Sequence, residues 1–176
     1  MIILRDLPDD QELKALAKRY PDLDAEAAAA FLAFLRTACD IFQASEEHFA
    51  RNGMSCGRFT VLALLNRHGD GTLTPSQIAD ACGVTRATIT GLLDNLEQER
   101  LIRRERSASD RRTMHVRLTD EGRRFLDRML PDHFRRMRRL MAGLGRRDRS
   151  ELRRLSGLIA QGLPALSDPD TKQRTR

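Results

Sequence analysis

Long apolar runs, disulfide-forming cysteines and lysines are all scarce in this chain, and each scarcity removes a class of protein. The longest stretches without a charge, Ala27 to Leu35 and Leu155 to Leu166, fall far short of the ~20 apolar residues that a membrane-spanning helix needs. Arg5, Asp6, Asp9 and Asp10 come almost at once, with no apolar segment or small-residue cleavage site. A secretory leader is therefore not expected, and a cytoplasmic location is. Cys39, Cys56 and Cys82 are too few and too far apart for a disulfide framework or a zinc cluster, and they suit a reducing compartment. His48, His68, His115 and His133 show no metal-ligand spacing. There is no paired nucleophile and base and no glycine-rich phosphate loop, so no metal, cofactor or enzymatic activity is expected.

What the chain does have is charge, unevenly spread. Its 176 residues, with 31 Lys plus Arg against 25 Asp plus Glu, suit one domain or one domain with an appended arm. Such a chain buries roughly 70 % of its unfolded surface without needing a staple. Residues 1–30 hold seven acids against four bases, whereas residues 101–118 hold six Arg against Glu105 and Asp110. All basic residues except Lys14, Lys18 and Lys172 are Arg, whose planar fork pairs with phosphate and with guanine edges.

The apolar rhythm predicts mostly helix. Phe31, Leu35, Ala38, Phe42 and Phe49 recur at three- and four-residue spacing between Asp24 and Ala50, and Asn52-Gly53 breaks that helix. Ser55 can cap a second helix through Arg67, with Phe59, Leu62, Ala63 and Asn66 along one face. Thr74-Pro75-Ser76-Gln77 has capping-box spacing, and a short helix follows to Cys82 and Gly83. Thr85 can cap the next helix, whose Ile89, Leu92, Leu93 and Leu96 fall at i, i+3, i+4 and i+7. Two short helices around a Gly turn form a helix-turn-helix pattern.

The period then changes to two. Met114, Val116 and Leu118 alternate with His115 and Arg117, as in a half-buried strand, and Leu101 to Glu105 can pair with it antiparallel. A helix-turn-helix followed by a basic hairpin is a winged helix. Thr119 can cap another long helix with Phe125, Met129, Phe134, Met137 and Met141 inward, and Gly145 separates it from a last helix bearing Leu152, Leu155, Leu158, Ile159 and Leu163. The fold class expected is mainly α with a small β-hairpin wing. Its parts are an acidic extension (1–23), long helical arms (24–50 and 123–163), a winged helix-turn-helix lobe (55–119) and a polar, disordered tail (164–176).

From about Asp24 to Leu163 the chain resembles the MarR family of bacterial transcriptional regulators. The wing is the most specific stretch: Leu101-Ile102-Arg103-Arg104, then Asp110-Arg111-Arg112, then Val116-Arg117-Leu118-Thr119-Asp120-Glu121-Gly122. It is similar to that family's D-x-R followed by Leu-Thr and Gly. Thr74 to Ala79 and Val84 to Thr90 are similar to the family's two central helices. One departure is Arg100, where the family usually has a Gly ending the recognition helix, so that this end must find another cap or strain a non-Gly residue.

With the apolar set inward, Arg86, Ala87, Thr90, Gly91 and Asn95 stand on or beside the opposite helix face. Arg86 can fork onto guanine, Asn95 can read adenine, Thr90 can donate to an edge or phosphate, and Gly91 permits close approach. An ordinary solvated face would carry similar residues, but the basic wing beside this one favours DNA. Thr74, Ser76, Thr85, Thr88, Arg106 and Arg111 complete the expected DNA-contacting set. The resemblance implies that Asp110 orients Arg112 for the minor groove. Arg103, Arg104, Arg106, Arg111 and Arg117 have too few neighbouring acids in sequence to be consumed as ion pairs.

The resemblance also implies that the end helices bury against a second subunit, giving a homodimer on a palindromic operator of double-stranded DNA. It implies an effector cleft as well. Phe42, His48, Phe49, Arg58, Phe59 and Met129 offer an apolar wall with an Arg and a His, suited to a small aromatic acid or phenolic ligand, although the same set could simply be core. Three alternatives stand beside this reading: a redox-sensing repressor acting through Cys39, a winged-helix module that binds protein, and an architectural DNA binder without sequence preference.

Overall fold

The computed structural model describes residues 5–68, 72–106 and 113–167. It is mainly helical with one small antiparallel sheet. The elements run α1 (Asp10–Arg19), α2 (Ala25–Ala50), α3 (Cys56–Arg67), β1 (Thr72–Leu73), α4 (Pro75–Cys82), α5 (Arg86–Gln98), β2 (Ile102–Arg106), β3 (Met114–Leu118), α6 (Asp120–Leu140), α7 (Arg146–Gly162) and α8 (Pro164–Ser167). Two compact units divide the chain, residues 1–127 and 128–176, and α6 runs from the first into the second.

Helix starts lie where capping chemistry puts them. Asp24 accepts from the backbone N–H of Glu26 and Ala27 to start α2, and Ser55 accepts from Arg58 to start α3. At α4, Thr74 Oγ1 accepts from Gln77 N at 3.2 Å while Gln77 Oε1 accepts from Thr74 N at 2.8 Å, with Pro75 at the first helical position. Each bond satisfies an orphan end group that would otherwise cost about 1 kcal/mol. Gly83 ends α4 at φ 65°, a left-handed conformation that glycine adopts without a Cβ penalty.

The core of the first unit forms where α3, α4, α5 and the sheet meet. Val61, Leu62 and Leu65 of α3, Ile78 of α4, and Ile89, Leu93 and Leu96 of α5 are fully buried, with Val116 of β3. In the sheet, β3 lies between β1 and β2, in the register Leu73↔Val116 and Arg104↔Val116. Gly122 fixes the join between hairpin and α6, because a Cβ there would stand 2.1 Å from the Leu101 carbonyl oxygen. No larger residue fits that approach.

Several expectations need correction. Along α3 the buried residues are Val61, Leu62, Leu64 and Leu65, not Phe59, Ala63 and Asn66; Asn66 is exposed. Contacts with α4, α5 and β3 together cover more than one helical stripe of α3, which a single-face rhythm cannot report. On α6, Phe134 and Met137 are exposed rather than inward, and Leu126 and Met129 are the buried pair. The strand β1 was not anticipated, since two residues carry no alternation. The acidic extension contains α1, whose Asp9 and Glu12 form a capping box and whose Leu13 is buried as α1 packs on α2. Four residues of the expected disordered tail form α8, and residues 168–176 lie outside the described residues.

Candidate nucleic-acid interface

The residues of α5 separate by face. Ile89, Leu93 and Leu96 are buried, and Leu92 is half-buried, while Arg86, Ala87, Thr88, Thr90, Gly91 and Asn95 are exposed together. Thr85 caps the helix by accepting from Thr88 N at 3.2 Å, and the two hydroxyls lie 2.9 Å apart. Thr90 was expected to donate to DNA, but its hydroxyl donates to the Arg86 carbonyl at 2.9 Å, which leaves it an acceptor. Gly91 has open space where a Cβ would stand, so packing gives no reason for a glycine there. Thr74 and Ser76 of α4 are half-buried, and the Thr74 hydroxyl is the cap already described.

The wing corrects the expectation that its arginines lack acids. Arg104 pairs with Asp94 at 2.7 Å and Glu97 at 3.3 Å, and its backbone N–H donates to Glu97 Oε1 at 3.0 Å. Arg103 and Arg117 both pair with Glu105, at 2.7 and 3.6 Å. The acids that neutralise Arg104 sit on α5, out of reach of a count over neighbouring sequence. The Arg104 pairs fasten the hairpin to the recognition helix, while the Glu105 pairs tie the two strands of the hairpin together. Among the described residues nothing pairs with Arg86 or Arg106, and both are exposed. Asp110, Arg111 and Arg112 lie outside the described residues.

The end of α5 answers the question raised by Arg100. Its φ is 59°, the one left-handed non-glycine among the described residues. Leu101 N–H donates to Leu96 O and Arg100 N–H to Glu97 O, both at 2.9 Å, the paired bonds of a Schellman cap. Thr119 Oγ1 donates to the Arg100 carbonyl at 2.7 Å and accepts from Gly122 N at 3.0 Å, tying this cap to the start of α6. A non-glycine residue therefore sits in a conformation costing about 1 kcal/mol, held by the surrounding bonds.

Part of the expected effector set comes together. Phe49 stacks on Phe59 with centroids 4.4 Å apart, and His48 tilts against Phe49 at 5.3 Å; His48 and Phe49 are buried. Arg58 pairs with Glu99 at the end of α5, and its guanidinium also donates to the Gly53 carbonyl. Phe42 is 61 % exposed, and Met129 belongs to the second unit. The cysteine environments differ. Burial, then a hydrogen bond to Glu46 and that residue's charge, push the Cys56 thiol up to about 12. Burial also raises Cys82, partly opposed by the charge of Arg67. Neither is a ready thiolate.

A tri-helical core carrying a three-stranded sheet, with a polar helix face beside a basic hairpin, defines a winged helix-turn-helix DNA-binding protein. A MarR family sequence model matches residues 52–113. The HTH-type transcriptional repressor YetL of Bacillus subtilis is 30 % identical over 94 % of this chain and 99 % of its own length. The HTH-type transcriptional regulator PecS of Dickeya dadantii is 32 % identical over 81 % of this chain and 87 % of its own. Among solved structures, the MarR family regulator Sco3205 of Streptomyces coelicolor, in complex with DNA, is 25 % identical with a TM-score of 0.75, over 80 % of this chain and 89 % of that one. The chain belongs to the MarR family, whose members are DNA-binding regulators and not enzymes, and it is a transcriptional regulator of that type. Among the described residues no helix is long and apolar enough to cross a membrane, and no cluster of three or more His, Cys, Asp or Glu could hold a metal.

Proposed function

We propose that the chain is a homodimeric repressor of a palindromic operator. The observation that carries this reading is α5, which buries Ile89, Leu93 and Leu96 on one face while Arg86, Thr90, Gly91 and Asn95 stand open to a groove on the other. Thr74, Ser76, Thr85, Ala87 and Thr88 flank that face, and Arg106, Asp110, Arg111 and Arg112 serve the wing. Arms over residues 24–50 and 123–163 join two lobes of residues 55–119. Support for a second copy comes from α2, where Phe31, Phe34, Ile41 and Phe42 are exposed, and from α7, where Leu152, Leu155, Leu158 and Ile159 are. That much apolar surface calls for a partner. Repression, as in the name of the YetL relative, follows if the operator overlaps a promoter.

Release is assigned to a small aromatic carboxylate or phenolate. Arg58 bridges Gly53, just past α2, to Glu99 at the end of the recognition helix. An anion that competes with Glu99 for that guanidinium, its ring against Phe49 and Phe59, would loosen the end of α5 and so change the spacing of the two reading heads. Titrating aromatic acids against the protein–operator complex tests this: release that Arg58→Ala abolishes supports it. Release by oxidant through Cys39, with no response to any acid, replaces it by the redox reading.

A further inference from the structure

The C-terminal helices carry more net positive charge than the DNA-reading lobe. Residues 1–127 hold 18 basic and 20 acidic residues, whereas residues 128–167 hold ten Arg against Asp132, Asp148 and Glu151. Residues 128–167 therefore carry a balance of +7, more than the +6 of the whole chain. Its acids are already engaged: Asp132 pairs with Arg135 and Arg136, Glu151 pairs with Arg154, and Asp148 accepts from Gly145 N at 2.7 Å to cap α7. Arg138 and Arg139 close the last turn of α6, and Arg146 and Arg147 open the first turn of α7. Arg149 donates to the Met141 carbonyl at 3.0 Å, which fixes the turn between the helices. Arg146, Arg149 and Arg153 recur at i, i+3 and i+7, so they line one stripe of α7 about 10 Å long, roughly opposite Leu155.

Helix electrostatics does not explain this arrangement. Cations at Arg138 and Arg139 suit the end of a helix, but Arg146 and Arg147 oppose the positive end of α7 and cost it stability. Among the described residues no acid pairs with Arg138, Arg139, Arg146, Arg147 or Arg153, and all five are exposed. A polyanion would relieve the repulsion. The stripe holds no aromatic side chain on which bases could stack, which disfavours single strands, and its composition is entirely Arg, the fork that matches phosphate.

We propose that the corner between α6 and α7 is a second, sequence-independent contact for the phosphate backbone of duplex DNA, able to hold another segment while the winged lobes occupy the operator. The proposal does not depend on the effector or on operator symmetry.

The test uses the full-length protein on a bead-bound operator duplex just long enough for the winged lobes, challenged with a labelled duplex of unrelated sequence. Wild type should retain the second duplex at about 50 mM salt and release it by about 200 mM. Replacing Arg138, Arg139, Arg146, Arg147 and Arg153 by Gln should cut retention at least about tenfold and lower the slope of log affinity against log salt by about four, with operator affinity kept. The double variant Arg146→Gln, Arg147→Gln removes an unfavourable charge from the start of α7, so it should melt no lower than wild type yet retain less of the second duplex. Unchanged retention in either folded variant, or no retention by wild type, overturns the proposal. So does retention of anionic phosphatidylglycerol vesicles without retention of duplex, which would reassign the surface to a membrane.

Discussion

In the first 127 residues, Val61, Leu62, Leu65, Ile78, Ile89, Leu93 and Leu96 are fully buried, and every helix that meets the sheet has a covered face. In α7 no residue is buried, and Leu155, Leu158 and Ile159 are 42–51 % exposed. The two regions have comparable amphipathic patterns in sequence. What separates them is cover: the lobe completes its core within one chain, whereas the apolar face of α7 is left open, and the proposed dimer would cover it with a second copy. The winged lobe should therefore respond to mutation through folding and reading, and the arms through assembly.

The largest expected effect is on assembly. Deleting residues 145–163 removes Leu152, Leu155, Leu158, Ile159 and Leu163, so the protein should sediment as a monomer or aggregate, and operator binding should fall with it. A full-length chain that sediments as a well-behaved monomer at micromolar concentration would erase the contrast between the two regions. Next comes the hairpin join. Gly122→Ala would drive a Cβ to 2.1 Å from the Leu101 carbonyl oxygen, and should cost about 2–4 kcal/mol in denaturant melts while leaving the C-terminal contacts intact.

Within the lobe, Arg112→Ala should leave fold and dimer unchanged and weaken binding to all operator sequences by about 1–3 kcal/mol, since a minor-groove Arg reads width more than base identity. Smaller effects distinguish reading from folding. Arg100→Gly should raise stability by about 1 kcal/mol, because glycine accepts the φ of 59° without strain. Gly91→Ala should also raise it, by roughly 0.5–1 kcal/mol, since nothing blocks its Cβ; weaker operator binding in that stabilised variant would show that the glycine serves DNA. Last, the Cys56 thiol, held at about 12 against 9.0 for a free one, should alkylate at pH 8 at least about tenfold more slowly than in urea. A raised thiol pKa in the folded state favours folding below the unfolded value and gives that stability up as pH climbs from 9.0 towards 12.

The helix boundaries were legible in the sequence because caps are local: Asp24, Ser55, Thr74, Gly83 and Thr85 each act within three residues. The antiparallel hairpin followed from period-two alternation over Met114 to Leu118, but its register did not, and its first strand begins one residue later than expected, at Ile102. Less legible was anything decided across the fold. Arg104 looked unpaired because Asp94 and Glu97 reach it from another element. Likewise Phe134 and Met137 read as core from periodicity alone, since a helix rhythm shows that a face is apolar and not whether the fold covers it. The strain at Arg100 was visible as a missing glycine, but the Thr119 hydroxyl that holds it was not.

The central claim is that the exposed face of α5 reads DNA in a two-fold assembly, and selection of bound sequences from a pool of random duplexes tests it most directly. Wild type should select a palindrome with half-sites about one or two helical turns apart, and Arg86→Ala should lose preference at one symmetric pair of positions while keeping the rest. A site without symmetry, or a preference that Arg86→Ala leaves unchanged at every position, would contradict the account.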